Sequence, residues 1–271
     1  TKSAGRWSIR VFSDGGYSQV GRLDFDIIEI DERIDRDGHV LTAPDYQEIK
    51  KMANDLVSSG KRNAVISFFH SCRNPEHEIQ VAEILSEAGF RKVVVSSSIY
   101  NFPKWLPRLE SGVVEAYLSD VLDHYLDQVQ DALGQSDSLR VMSSAGGLQK
   151  RSKYRAIDSL LSGPAAGVVG AGSIAKSAGF QDFINLDMGG TSTDVSRYSG
   201  HYGYQSPHQV GDARIASTSL KIETVAAGGG SICRVENGLL RVGPQSSGAH
   251  PGPACYGFGG PLCLTDVNLL L

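Results

Sequence analysis

Along the first half of the chain, apolar positions follow two alternating rhythms. Residues 24–30 alternate acidic and apolar side chains, the period of a half-exposed strand, and the charged run that follows (DERIDRD, 31–37) reads as a solvated hairpin. Helical spacing takes over at 45–58. A short apolar run (AVISFF, 64–69) reads as a strand, Asn74 and Pro75 mark a helix start, and 76–88 is amphipathic. Gly89 ends that helix, and 92–97 is another apolar run. Strand, helix, strand, helix, strand predicts an α/β class with a parallel component. Pro103 and Pro107 then break the chain before a helix predicted over 109–133. Its Val113, Val114, Tyr117, Leu118, Val121, Leu122, Tyr125 and Val129 make one broad buried stripe.

The polar segment 134–138 (GQSDS) reads as a linker. It divides the chain into a first α/β lobe portion with the long connecting helix, residues 1–138, and a second lobe, residues 139–271. The second lobe is expected to open with a strand at 139–143 and a turn through Ala145, Gly146 and Gly147. A small-residue helix at 164–177, a strand at 183–187 and a hairpin at Glu236, Asn237 and Gly238 follow.

Composition narrows the classes. With 271 residues, 41% hydrophobic, the chain has enough apolar material for two modest cores. The 26 Lys and Arg are scattered and the net charge is -4, so no basic face offers itself to a phosphate backbone and nucleic acid is not an expected partner. Cys72, Cys233, Cys255 and Cys263 form no CxxC pair, which fits a reducing, cytoplasmic setting. No apolar run approaches bilayer length, so no membrane association is expected. The 31 glycines gather in the second half, where backbone must come close to something.

The segment 184–196 (INLDMGGTSTDVS) carries the chemistry. An apolar strand ends in Asp187 and turns through Gly189 and Gly190 into a hydroxyl-rich return. Glycines let backbone N–H groups approach phosphate oxygens, Thr191, Ser192 and Thr193 add hydroxyl donors, and Asp187 with Asp194 suit a hydrated Mg²⁺. The alternative is a β-hairpin whose Gly-Gly is only a tight turn. Other candidates also carry two readings. The helix opening at Gly163 is an anion site or a close helix-to-sheet contact. Gly228, Gly229 and Gly230 form a platform for a nucleotide base or phosphate, or a bulge. His250, Cys255 and Asp266 hold a metal such as zinc, or shape a loop. His70, Cys72, Arg73 and His77 include a strand-end imidazole available to a ligand, or belong to a helix cap supplied by Arg73 and Asn74.

In order along the chain, FFHSCRNPEHE (68–78), SSAGGL (143–148), SGPAAGVVGA (162–171), the Asp-x-Gly-Gly-Thr-x-Thr-Asp hairpin, AAGGGS (226–231) and VGPQSSGAHPGPACYGFGGPLCLTDVNL (242–269) resemble the hydantoinase/oxoprolinase family. The last block is nearest to its 5-oxoprolinase branch. The resemblance implies an actin-like ATPase fold of RNase H-like lobes, with ATP and Mg²⁺ as cofactors and zinc or manganese as alternative metals. It extends cofactor binding to Gly146 and Gly147. It implies ATP-dependent opening of a cyclic amide through phosphorylation, or a nucleotide-binding subunit of an acetone or acetophenone carboxylase, or a scaffold that keeps the fold without turnover. The implied partner is a second, larger subunit of hydantoinase B type, and the implied substrate is a small molecule. Family members carry a further Asp-x-Gly-Gly-Thr-Phe-Thr-Asp element upstream. The nearest candidate here, FSDGG (12–16), is followed by Tyr17 and reads as a turn, and the chain stops within an apolar element at Leu269, Leu270 and Leu271. The lobes are therefore expected to be incomplete at both ends.

Overall fold

In the computed structural model, which describes residues 6–12, 26–134, 139–210 and 213–271, the chain forms two compact units. The first comprises Thr1–Val141, Gln149–Leu160 and Ser206–Thr218; the second comprises Met142–Leu148, Leu161–Gln205 and Ser219–Leu271. The chain passes into the second unit after Val141 and returns twice to the first. Residues 13–16 of the FSDGG turn, Asp24 and Phe25 of the first strand, and 135–138 of the linker lie outside the described residues.

In the first unit, strands β1 (Arg6–Phe12), β2 (Asp26–Asp31), β3 (Asn63–Ser67) and β4 (Lys92–Val95) form one sheet in the order β2-β1-β3-β4. The β3–β4 pair is parallel, and β1 is antiparallel to both its neighbours. All five residues of β3 are buried, because helices cover it on both faces. Ala64 and Ile66 pack with Ile49 and Ala53 of helix α1 (Tyr46–Ser58) and with Val81 and Leu85 of α2 (Glu76–Ala88). Val65 packs instead with Leu109, Val113 and Ala116 of α3 (Trp105–Ala132). A strand buried on two faces reads as a continuous apolar run, which is how it appears in sequence. Asp45 caps α1 by accepting from the N–H of Gln47 and Glu48, and Gly89 ends α2 at φ 105°.

Three expectations need correction. Helix α3 begins at Trp105, with Pro107 inside its first turn, where a missing N–H costs no intrahelical bond. Its buried face also takes only part of the aliphatic stripe: Val113 is buried, but Val121 is 73% and Tyr125 60% exposed, and Arg108, Gly112, Glu115, Ala116 and Ser119 are buried instead. The reason is close approach, since a Cβ on Gly112 would lie 2.7 Å from Val65 Cγ1. The charged run 31–37 is not uniformly solvated either. It pairs as a short hairpin, Arg33–Ile34 with Val40–Thr42, yet Glu32 is buried and accepts from His77 Nδ1 at 2.7 Å. Burial pushes the Glu32 carboxyl up from its ordinary value, against the opposing pull of the His77 hydrogen bond.

In the second unit, helix α4 (Ser162–Ser177) packs beside an antiparallel sheet of β5 (Asp182–Met188), β6 (Thr193–Ser199) and β7 (Glu223–Val225), with β6 central. Phe183 stacks on Tyr198, and Tyr202 meets Tyr198 edge-on. A Cβ on Gly172 of α4 would collide with the Tyr202 hydroxyl and come within 3.3 Å of Phe183, so small residues let this helix settle onto the aromatic cluster. Strands β8 (Ser231–Glu236) and β9 (Leu239–Ser246) form the expected hairpin, turning through Asn237 and Gly238, both at positive φ. The short helix α5 (Leu264–Leu270) follows.

Candidate phosphate-binding site

The site is the tip of the β5–β6 hairpin, within the second unit. The register sets Asp187 directly opposite Asp194 and Met188 opposite Thr193, leaving Gly189, Gly190, Thr191 and Ser192 as the turn. The turn closes through Gly189 N–H donating to the Ser192 carbonyl at 2.9 Å. The N–H groups of Gly190, Thr191 and Ser192 donate to no described residue, and the hydroxyls of Thr191 and Ser192 are likewise unengaged. Three backbone donors at one exposed tip suit an anion. Thr193 differs: its hydroxyl donates to the Ala227 carbonyl at 2.5 Å, so its proton is used within the protein.

The carboxylates are not equivalent. Asp194 Oδ1 accepts from the Thr224 hydroxyl at 2.7 Å, whereas Asp187 accepts from no described residue and has its Oδ2 3.3 Å from the place a Cβ on Gly167 of α4 would take. Among the described residues neither forms an ion pair. Like charges placed directly across a strand pair destabilise it by roughly 0.2–1 kcal/mol, a cost that a bound cation would relieve. Two carboxylates beside free backbone donors fit hydrated Mg²⁺ with a polyphosphate.

The second glycine run clamps the first. Gly229 N–H donates to the Gly189 carbonyl at 2.9 Å and Gly230 N–H to the Gly190 carbonyl at 2.7 Å. A Cβ on Gly228 would lie 2.6 Å from the Gly190 carbonyl carbon and oxygen. Thr265, through both N–H and hydroxyl, then donates to the Gly229 carbonyl at 2.8 Å. These glycines have a backbone reason of their own: they turn the carbonyls of the tip inward and leave its N–H groups outward.

Other sequence candidates fall at varied distances from this tip. Gly146, at φ 78°, sits in the Ser143–Gly147 turn, where a Cβ would press on Leu220 and Val169 at 3.0 Å; Gly147 lies beside Ser143. That turn matters through a residue the sequence reading passed over: buried Ser144 accepts from Leu161 N–H at 2.9 Å and so fixes the start of α4. Gly163 faces open space there. His250 is exposed beside Phe258, and Cys255 is exposed. Asp266 is a loop anchor, accepting from the N–H groups of Ala254, Cys255 and Cys263 at 3.1, 2.7 and 2.7 Å. The Cys255 thiol and these N–H groups hold its carboxyl down at about 2. Among the described residues no three His, Cys, Asp or Glu side chains group as a metal site. His70 lies in the first unit, half-buried, with Nδ1 2.7 Å from the Ile34 carbonyl. Asn74 starts α2 by accepting from Glu76 N–H, while Arg73 takes no part in that cap. Thr224, Ala227 and Thr265 are the supports that sequence reasoning missed; their only signal was position, Ala227 and Thr265 within the Ala226–Ser231 and 242–269 motifs and Thr224 just before the first.

The hydantoinase/oxoprolinase family model matches residues 108–271, and the hydantoinase/oxoprolinase N-terminal region matches 17–89. The chain is 43% identical over 234 residues to a 5-oxoprolinase of Pestalotiopsis fici, covering 86% of this chain and 18% of that one. The crystal structure of the ATP-dependent caprolactamase from Pseudomonas jessenii is similar at a TM-score of 0.75 and 32% identity, covering 89% of this chain and 36% of that one. Nucleotide-free acetone carboxylase follows at 0.70 and 25%, with the same coverage. The chain thus spans 18% of the 5-oxoprolinase and 36% of each structural neighbour. Among the described residues no helix is long and apolar enough to cross a membrane. The α/β fold is of the actin-like ATPase type, and the chain belongs to the hydantoinase/oxoprolinase family.

Proposed function

We propose that this chain forms part of the nucleotide site of an ATP-dependent enzyme that opens a cyclic amide, of hydantoin, 5-oxoproline or lactam type, by phosphorylating it. One observation carries the reading: Asp187 and Asp194 face each other with no ion-pair partner among the described residues, beside N–H groups of Gly190, Thr191 and Ser192 that donate to no described residue. The two carboxylates would hold Mg²⁺, and the three N–H groups with the Thr191 and Ser192 hydroxyls would hold phosphate oxygens. Oxygen ligands without thiolate or imidazole favour Mg²⁺ or Mn²⁺ over zinc. Bound ATP supplies the phosphoryl group, and the protein's part in such chemistry is positioning and charge neutralisation. A hairpin clamped by Gly228, Gly229 and Gly230 suits that task.

The amidase reading is favoured over a ketone carboxylase subunit by identity: 32% to the caprolactamase structure against 25% to acetone carboxylase. The acetone carboxylase likeness supports the second reading. A relative named caprolactamase subunit alpha, 35% identical over 249 residues, supports a second, larger partner subunit of hydantoinase B type. Four free cysteines support a cytoplasmic setting. The test is titration calorimetry of Mg·ATP into the chain and into Asp187→Ala. We expect at least about a tenfold loss of affinity, about 1.4 kcal/mol, with unchanged circular dichroism. Equal affinity in the two proteins overturns the assignment.

A further inference from the structure

A second candidate site lies in the first unit, at the C-terminal end of β3. In open α/β sheets the C-terminal ends of parallel strands are where ligands are taken, and β3 and β4 are the parallel pair. The chain leaves β3 through Phe68, Phe69, His70 and Ser71 before α2 begins. The His70 ring has Nδ1 2.7 Å from the Ile34 carbonyl oxygen. A carbonyl oxygen has no proton to give, so Nδ1 carries the hydrogen, and in that tautomer Nε2 is the ring atom with the lone pair.

The loop that carries His70 is held by buried charge. Glu78 and Arg108 are both fully buried, with 3.9 Å between Oε1 and Nη1. Glu78 Oε1 accepts from Phe68 N–H at 2.7 Å, Arg108 Nη2 donates to the Phe68 and Phe69 carbonyls at 2.9 and 3.0 Å, and Arg108 Nη1 donates to the Ser71 hydroxyl at 2.5 Å. His70's own carbonyl accepts from the N–H groups of Arg73 and Asn74, and Asn74 Nδ2 donates to the Gly38 carbonyl. A buried ion pair yields little net stability against apolar residues of the same volume. One whose bonds converge on the backbone on either side of a single imidazole acts as a positioning shell.

We infer that His70 binds the cyclic amide, accepting the ring N–H of the substrate at Nε2, with Glu78 and Arg108 as positioning residues. The inference rests on the amidohydrolase reading and separates it from the ketone alternative. An amide ring N–H is a donor that matches this tautomer; a ketone offers only acceptors.

The experiment is ring-nitrogen NMR of the full chain labelled with ¹⁵N-histidine, titrated with hydantoin and, separately, acetone. Hydantoin should move the His70 Nε2 resonance saturably, and acetone should leave it in place. His70→Asn keeps an N–H toward the Ile34 carbonyl but has no atom at Nε2. It should keep the backbone amide spectrum of the loop and bind hydantoin at least about tenfold more weakly. His70→Gln, which restores a polar group near Nε2, should recover part of that loss. A motionless His70 resonance, equal hydantoin affinity in His70→Asn, or an equal response to acetone overturns the inference. Mg·ATP titrated into the same samples separates the two proposals. Asp187-dependent nucleotide binding with a silent His70 defeats this inference alone. A hydantoin-responsive His70 with Asp187-independent nucleotide binding defeats the phosphate-site assignment alone.

Discussion

Strands β3 and β5 look alike in sequence, each a short apolar run ending in a polar loop, yet they are built into their sheets by different means. Every residue of β3 is buried between helices, whereas β5 is covered on one face only: Ile184, Leu186 and Met188 are 69%, 68% and 56% exposed. The loops differ in parallel. The loop after β3 is fixed from beneath by a buried carboxylate and guanidinium; the loop after β5 is fixed from the side by another run of backbone, glycine against glycine. Fixing by buried charge leaves side chains free to vary in the loop but makes each partner indispensable to the other. Fixing by backbone contact forbids side chains outright and leaves N–H groups pointing outward. The first device suits the presentation of a side chain such as His70, and the second suits the presentation of bare amides to an anion.

The comparison breaks most visibly at Glu78. In Glu78→Gln, Arg108 stays buried without its anion, and the new amide meets the Ser97 N–H that the carboxylate now accepts at 3.0 Å. Removing one member of a buried pair costs about 3–5 kcal/mol. Both tryptophans, Trp7 and Trp105, belong to the first unit, so urea unfolding followed by tryptophan fluorescence reports that unit. A double replacement, Glu78→Leu with Arg108→Met, should recover only the part owed to the unpaired charge, because the Phe68 and Ser97 N–H groups lose Glu78 and the Phe68 and Phe69 carbonyls lose Arg108. A single variant as stable as the parent would show that the pair does not hold the loop. Gly228→Ala is the matching test of the second device. Its methyl group would press on the Gly190 carbonyl, backbone that cannot swing aside. Overpacking of this kind costs about 1–3 kcal/mol. Hydrogen exchange should show faster opening of β5 and β6 but not of β3, and Mg·ATP affinity should fall with it.

Much of this was legible in sequence where the cause is local. The helices at 45–58 and 76–88 follow from spacing and, for the second, from the stop at Gly89; the structure has them at Tyr46–Ser58, with Asp45 as the cap, and at Glu76–Ala88. The facing of Asp187 and Asp194 follows from a strand ending in one and beginning near the other. What stayed hidden depends on partners far along the chain. Glu32 reads as a surface charge until His77 is seen against it. The inner face of α3 reads as valine and tyrosine until Gly112 brings the helix down on Val65. Gly228 reads as a ligand platform until Gly190 is found within contact distance. The Thr193 hydroxyl, promising in sequence, is used on Ala227, and periodicity cannot report a bond between residues so far apart.

A smaller effect distinguishes the loop anchored by Asp266. Its folded carboxyl titrates at about 2, below the ordinary 3.8, so the ionised form is the one the fold holds. The stability it contributes is therefore fully present above pH 3.8 and is lost as pH falls from there through about 2. Thermal melts between pH 5 and pH 2 should show a shallower decline for Asp266→Asn than for the parent, from a lower starting point. Parallel declines would mean that the three N–H groups hold the loop without the charge.

The smallest effect has the opposite sign and bears most directly on the difference between the two loops. Glu78 has its counter-charge inside the protein, whereas Asp187 and Asp194 have none among the described residues. Removing a carboxylate should therefore destabilise the first unit and stabilise the second. Without metal or nucleotide, Asp187→Asn should raise the stability of the second unit by about 0.2–1 kcal/mol, the usual scale for relieving like charges across a strand pair. Hydrogen exchange of β5 and β6 amides in a metal-free buffer measures it, and low salt enlarges it because exposed charges are screened over about 10 Å at 0.1 M. Adding Mg²⁺ should protect the parent and leave the variant unchanged, so that their order reverses. A variant that is less stable than the parent without metal would show that the two carboxylates are already compensated within the fold, and the case for a cation between them would fall with that result.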